Sequence, residues 1–474
     1  MTTEERQREH STLEQERKRV PDLFHMEPLL DSPEMLRWIG IEEVFGEYPL
    51  GHIKYTPQDF IVEEIAGDKS ISTVDVGSAV KSLGGKGATF YGELVKADMT
   101  TFAAREEVAR ILGTSIEDVG TAGLKDEVAI TSQRISLRKV QDVQKLEHLQ
   151  DENFFVKNIT RGKGVLKRGD LYGNRFFIVI RTPQTISEKE KARVQKELKK
   201  IAEQGFWNFF SFQRFAAPRL NGHFIGKHLL KEEYKEAIEN LLFFQSSREE
   251  PYFRRIREEV KEHWGNWQRI EKAMTPFPSR FPTELQVLRH LKSHPGDFVG
   301  ALRTIPDQVR LWVYAYASFL FNKRISQAIK KGEVPFKLPF ITSRHPTDWE
   351  WYREFLEQDK IVLPPLIYRT FPFLRTPSFV VSPAVPTLQT VEVHNVHFLE
   401  KMMVLAFSLP KGTYATTFLA HLFQLSSEAP FPDGIDTNII DSKALLELGL
   451  LTSVFEHFHG VLGRMAEKRS AGGR

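Results

Sequence analysis

The segment Gly120-Thr121-Ala122-Gly123-Leu124-Lys125-Asp126 carries a carboxylate on a glycine-punctuated loop, ahead of an apolar, β-rich stretch from Ala129 to Leu137. A loop tied to a strand head presents an acid at a defined place, where it can serve as nucleophile or as an anion facing a developing cation. Further on, Asn174 and Phe176 stand two residues apart in Gly173-Asn174-Arg175-Phe176-Phe177-Ile178-Val179-Ile180, which reads as a buried strand. Strand side chains alternate, so this amide and this ring share a face. Residues 161–175 hold Arg161, Lys163, Lys167, Arg168 and Arg175 against Asp170 alone, the clearest local basic patch and a candidate phosphate-binding surface.

Taken singly, each of these has a plain structural explanation. Asp126 beside Lys125 and Glu127 is an ordinary turn charge in a chain with 62 acidic residues. A strand phenylalanine is usually core, and an asparagine after a glycine is usually a turn former. Standard motifs do not decide the matter. Gly84-Gly85-Lys86-Gly87 lacks the register of a phosphate-binding P-loop, and the chain has no GxGxxG, GxSxG or HExxH pattern. His394 with His397 and His457 with His459 lack a third ligand, so no metal is expected.

The 474 residues suggest roughly three folding units, or two if one is large. The absence of cysteine excludes disulfides, thiolate nucleophiles and cysteine metal sites. With 65 basic and 62 acidic residues the formal charge is only +3, so an anionic partner must be read by local patches and not by a global field. Residues 1–35 read as a charged extension with no apolar stripe that would require docking. No apolar run has the length of a signal peptide core or a membrane span, and a cytoplasmic location is expected.

The elements that must position these residues follow from local pattern. His52-Ile53-Lys54-Tyr55 leads through Thr56-Pro57 into the strand-like Asp59-Phe60-Ile61-Val62-Glu63-Glu64-Ile65. Thr100 or Thr101 can cap a helix that runs to Leu112 and stops at Gly113. Ser187 and Glu190 form a capping box before an apolar stripe of Val194, Leu198 and Ile201 that ends at Gly205. Residues 216–390 turn to charged helical segments, an aromatic helix opened by Pro306 with Val309, Trp312, Val313, Tyr316 and Leu320 on one core-facing stripe, and a proline-rich stretch. In that stretch 370–377 reads as extended loop or edge strand, after which 391–408 returns to strand pattern.

Ala122-Gly123-Leu124-Lys125-Asp126-Glu127-Val128-Ala129-Ile130-Thr131 resembles the signature of the TruD family of RNA pseudouridine synthases. Further segments resemble the same family in the same order: 54–64, Gly173-Asn174-Arg175-Phe176, Asn208-Phe209-Phe210 with Gln213-Arg214-Phe215, Phe321-Asn322, and 409–416. Together they bracket most of residues 50–425.

The resemblance implies an enzyme that isomerises uridine to pseudouridine in RNA without a cofactor or metal, most often uridine 13 of tRNA. It implies that Asp126 is the essential carboxylate and that Asn174 positions that aspartate or the nucleotide. Phe60 and Phe176 then pack against a flipped nucleoside, and Lys54 pairs with Asp126 or with a phosphate. Tyr414 stands where the family often carries phenylalanine, which places a hydroxyl beside the base. Ala216 replaces the glycine that follows Gln213-Arg214-Phe215 in the family, and if that glycine is needed for an unusual backbone angle the turn here must differ. Arg161, Lys163, Lys167, Arg168, Arg175 and Arg214 are the expected RNA contacts.

The implied fold is α+β: a mostly antiparallel mixed sheet with flanking helices, built from 36–215 and 390–465, carrying an inserted TRUD-type α/β domain at 216–390. Two rival readings stand beside it: a non-catalytic RNA binder or chaperone on the same scaffold, and a broader synthase acting on messenger RNA or on several tRNAs.

Overall fold

The computed structural model describes residues 3–42, 48–363, 367–426 and 430–472. The chain divides into two compact units: Met1–Glu27, Asp31–Val44 and Trp207–Leu388 form one, and Pro28–Leu30, Phe45–Phe206 and Gln389–Arg474 form the other.

The second unit is built on a mixed sheet in which 13 strands are described. Its main path runs Glu392–Phe398, Met402–Pro410, Leu171–Arg181, Phe60–Ala66, Ile130–Leu137, Thr89–Ala97, Phe154–Gly162 and Val80–Ser82. Neighbours on this path are antiparallel except Phe60–Ala66 with Ile130–Leu137 and Val80–Ser82 with Phe154–Gly162. Alternation along Leu171–Arg181 explains why the sheet is buried on both sides. Phe176, Ile178 and Ile180 face Phe60, Val62, Leu405 and Phe407, under the stripe of the Glu188–Gln204 helix. Phe177 and Val179 face the other way, into Ile61, Val404, Leu451, Val454 and Phe458. The Ser187–Glu190 capping box and the Thr100 cap form as the sequence predicts, and Gly113 closes the Thr101–Leu112 helix at φ +69°.

The other unit is mostly helical, and among its described residues Lys337–Pro339 pairs with Ala384–Pro386 in a short ladder. The Pro306–Lys331 helix runs through its core, and the five stripe residues named above are all buried. Asn322 accepts from the Phe210 N–H at 2.9 Å and donates to the carbonyls of Phe210 and Ile39, which accounts for two of the matched segments as a buried clamp.

Three expectations change here. The start of the charged extension does dock: the Thr3–Arg19 helix and the turn after it place Leu13, Val20, Leu23 and Phe24 against the helical core, and Phe24 stacks on Tyr252 at 4.6 Å. A few well-spaced apolar residues among many charges suffice. Residues 370–377 form no strand, because Pro372 and Pro377 each open a short 3-10 turn; residues 364–366 of the proline-rich stretch lie outside the described ones. Ala216 itself takes left-handed angles, φ +62° and ψ +58°, which a glycine adopts freely and an alanine holds under strain. Among the described residues no helix is long and apolar enough to cross a membrane.

Candidate active site

Every residue of this site belongs to the sheet unit. Lys54 leaves the Leu50–His52 strand with φ +59°, an uncommon angle for a lysine. The turn behind it is fixed by a capping box between Thr56 and Asp59. Asp59 is gripped by Arg181 through two bonds of 2.7 Å, from Nε and from Nη2. From this buried anchor Lys54 reaches out to Asp126 Oδ1, and its Nζ lies 4.4 Å from the centroid of the Phe60 ring.

Residues 122–126 are held at several points. The Lys96 ammonium donates to the Asp126 carbonyl at 2.6 Å, and Gln133 donates to that of Gly123 at 3.0 Å. The Lys125 N–H donates to Thr101 Oγ1 at 2.9 Å, and the Gly169 N–H donates to the Ala122 carbonyl at 2.8 Å. Lys96 is fully buried, and desolvation pulls its pKa down from the usual lysine value to about 8. The Asp126 side chain itself stays 32% exposed.

Lys125 points inward, where its Nζ meets Glu64 Oε2 at 2.8 Å and Asn174 Oδ1 at 2.6 Å. An ammonium can only donate, so it orients the amide with the Asn174 oxygen toward Lys125 and the NH₂ away from it. In register, Asn174 pairs with Glu64 and Phe176 with Val62. The Phe60 and Phe176 rings meet edge to face at 6.1 Å, and Phe176 stacks on Phe407 at 5.1 Å. Both rings are buried, so they form a firm wall beside the lysine. Tyr414 is half-buried at the head of the Ala415–Leu419 helix, and the next residue, Ala415, joins the same apolar cluster.

The structure thus joins Lys54, Asp126 and Phe60 directly, and Asn174 and Phe176 through Lys125 and the strand. The basic residues behave differently. Arg161, Lys163, Lys167 and Arg168 are exposed, Arg161 over the Phe90 ring and the last two in a turn closed by Asp170. Arg175 leaves that group: alternation turns it to the face opposite Asn174, where its guanidinium pairs with the buried Glu63 carboxylate. Counting charges along the sequence could not separate it from the patch. Arg214 belongs to the helical unit and lies over the Phe210 ring at 5.3 Å. Lys96, Lys125 and Glu64 were not singled out from sequence, although charges inside the apolar runs Leu94-Val95-Lys96-Ala97 and Phe60–Ala66 were the available signal. Among the described residues no cluster of His, Asp or Glu could hold a metal ion.

The family model of tRNA pseudouridine synthase D (TruD) matches residues 47–339. The chain belongs to the TruD family. It is 30% identical over 373 residues to a protein of Methanopyrus kandleri named probable tRNA pseudouridine synthase D, covering 74% of this chain and 88% of that one. It is 27% identical over 404 residues to the tRNA pseudouridine synthase D of Aquifex aeolicus, covering 78% and 97%. The crystal structure assigned to TruD of Methanosarcina mazei superposes with a TM-score of 0.63 at 22% identity, over 83% of this chain and 98% of the other, and shows the fold to be that of TruD proteins. Membership in the TruD family brings with it pseudouridine synthesis in tRNA.

Proposed function

We propose that this chain converts uridine 13 of tRNA to pseudouridine, with Asp126 as the catalytic carboxylate and the sheet unit as the catalytic domain into which the helical unit is inserted. The observation that carries the reading is that the Lys54 ammonium touches both the Asp126 carboxylate and the Phe60 ring, so acid and aromatic wall stand one amine apart.

The reaction breaks the bond from C1′ to N1, turns the uracil, and joins C1′ to C5; C5 gives up its proton and N1 gains one. Asp126 faces the ribose or the base as the anion in this exchange, and the freed uracil carries negative charge that Lys54 stabilises. Phe60 and Phe176 hold the extruded base, and Asn174 offers its NH₂ to a uracil carbonyl, because Lys125 occupies its oxygen. Tyr414 walls the pocket. Arg161, Lys163, Lys167 and Arg168 bind phosphates, so affinity falls as salt rises. No cofactor is needed, since the isomerisation is internally balanced, and the work is placed in the cytoplasm with the tRNA pool.

Carbodiimide mapping of tRNA transcripts incubated with the wild type and with Asp126→Asn tests this. Conversion at position 13 by the wild type alone is the expected result; conversion elsewhere, or by both proteins, overturns it. Equal binding without conversion would support the RNA-chaperone reading.

A further inference from the structure

Four of the five residues in 122–126 are bonded to neighbouring elements through their backbone or through a backbone partner, and Leu124 makes no such bond. Its side chain is 73% exposed at the tip of a loop that is otherwise pinned, two residues from Asp126. An apolar side chain held out by a rigid backbone has little to gain in water.

Its surroundings suit nucleic acid. On one side, Thr101 bonds the loop to the first turn of the Thr101–Leu112 helix, where Phe102 is 56% exposed. On the other, Gly169 bonds it to the turn carrying the exposed Lys167 and Arg168. Exposed apolar and aromatic groups interleaved with cations are the mark of a surface that stacks bases and pairs phosphates.

We infer that Leu124 is an intercalating wedge, entering the tRNA stack at the place the target uridine leaves and holding the base out while Asp126 acts. The occupant is thus the pair of bases flanking that uridine. This rests on the reading of Asp126 given above, and it adds a task that no contact with the uridine itself performs. A wedge matters where a base must be pulled from a stacked pair and little where it is already loose.

The test is single-turnover conversion of two tRNAs, one native and one whose opposing base is changed so that the target uridine is unpaired. Leu124→Ala is expected to slow the native tRNA by about tenfold or more and the unpaired one by less than about twofold, with Leu124→Met restoring the rate. Equal slowing of both, or of neither, overturns the wedge. A second readout is independent of chemistry: 2-aminopurine beside the target should brighten on binding Asp126→Asn and stay dim with Leu124→Ala added. If the wild type converts no tRNA uridine the reading of Asp126 fails, and the 2-aminopurine signal still decides the wedge: brightening that needs Leu124 upholds it, and brightening without Leu124, or none, overturns it.

Discussion

Asp59 and Asp126 each meet a basic side chain in the sheet unit, and their settings differ. Asp59 and Arg181 are both 1% exposed, joined by two bonds, and Arg181 donates further to the Asn438 carbonyl. Asp126 meets a single-headed lysine and remains 32% exposed. A fully desolvated, bidentate pair fixes the chain at that point, and its atoms have no room for a substrate. A half-open pair restrains a carboxylate while leaving it a lone pair and solvent access. The two are linked in sequence and space, since the buried pair anchors the turn between Lys54 and Phe60.

The contrast breaks most sharply by exchanging the readouts. Asp126→Asn is expected to lower tRNA conversion by at least about 10³-fold while moving the free energy of unfolding by less than about 1 kcal/mol. Arg181→Met should do the reverse in kind, costing about 3–5 kcal/mol of stability in urea titration because it strands a buried carboxylate. Were Arg181→Met fully stable, the view of Asp59 as the anchor would be lost.

A smaller effect separates Lys96 from both pairs. Its folded pKa lies near 8, below that of the unfolded chain, so between about pH 8 and 10.5 the unfolded state binds more protons. Stability contributed by this group therefore rises as pH rises through that window. The unfolding free energy of the wild type should gain about 2 kcal/mol between pH 8 and 10 relative to Lys96→Met measured in parallel. A flat difference would mean that Lys96 is not desolvated.

The smallest test concerns backbone strain, which occurs both at the site and away from it. Lys54 and Ala216 share left-handed angles, φ +59° and +62°. Ala216→Gly should raise stability by about 0.5–1 kcal/mol, because glycine accepts that angle freely. Lys54→Gly relieves the same strain but removes the ammonium from Asp126, so it should lose conversion whatever happens to its unfolding midpoint.

Much of the fold was legible because it is written in local periodicity. The Ser187–Glu190 cap, the 194-198-201 stripe and the Pro306 helix needed only spacing to be read, and each formed as expected. The docking of residues 3–24 was missed because hydrophobic content averaged over the segment hides four residues that pack. The loss of Arg175 from the basic patch was missed because a run of positive charge says nothing about which side of a sheet each residue takes.

Asp126 was singled out by the resemblance of its segment, and of the ordered segments around it, to the TruD family, since the glycine-marked loop by itself left it an ordinary turn charge. The shared face of Asn174 and Phe176 could be read from the chain alone, since it follows from the two-residue period of a strand. What only the tertiary structure decided is the company these residues keep. Lys54 and Lys96 come from separate elements, and only the assembled sheet brings their ammonium groups to the loop of Asp126 and turns that of Lys125 from the same loop onto Glu64 and Asn174. Contacts between residues 72, 30 and 49 positions apart depend on register and burial, which set desolvation and pairing, and neither can be read from composition or local spacing.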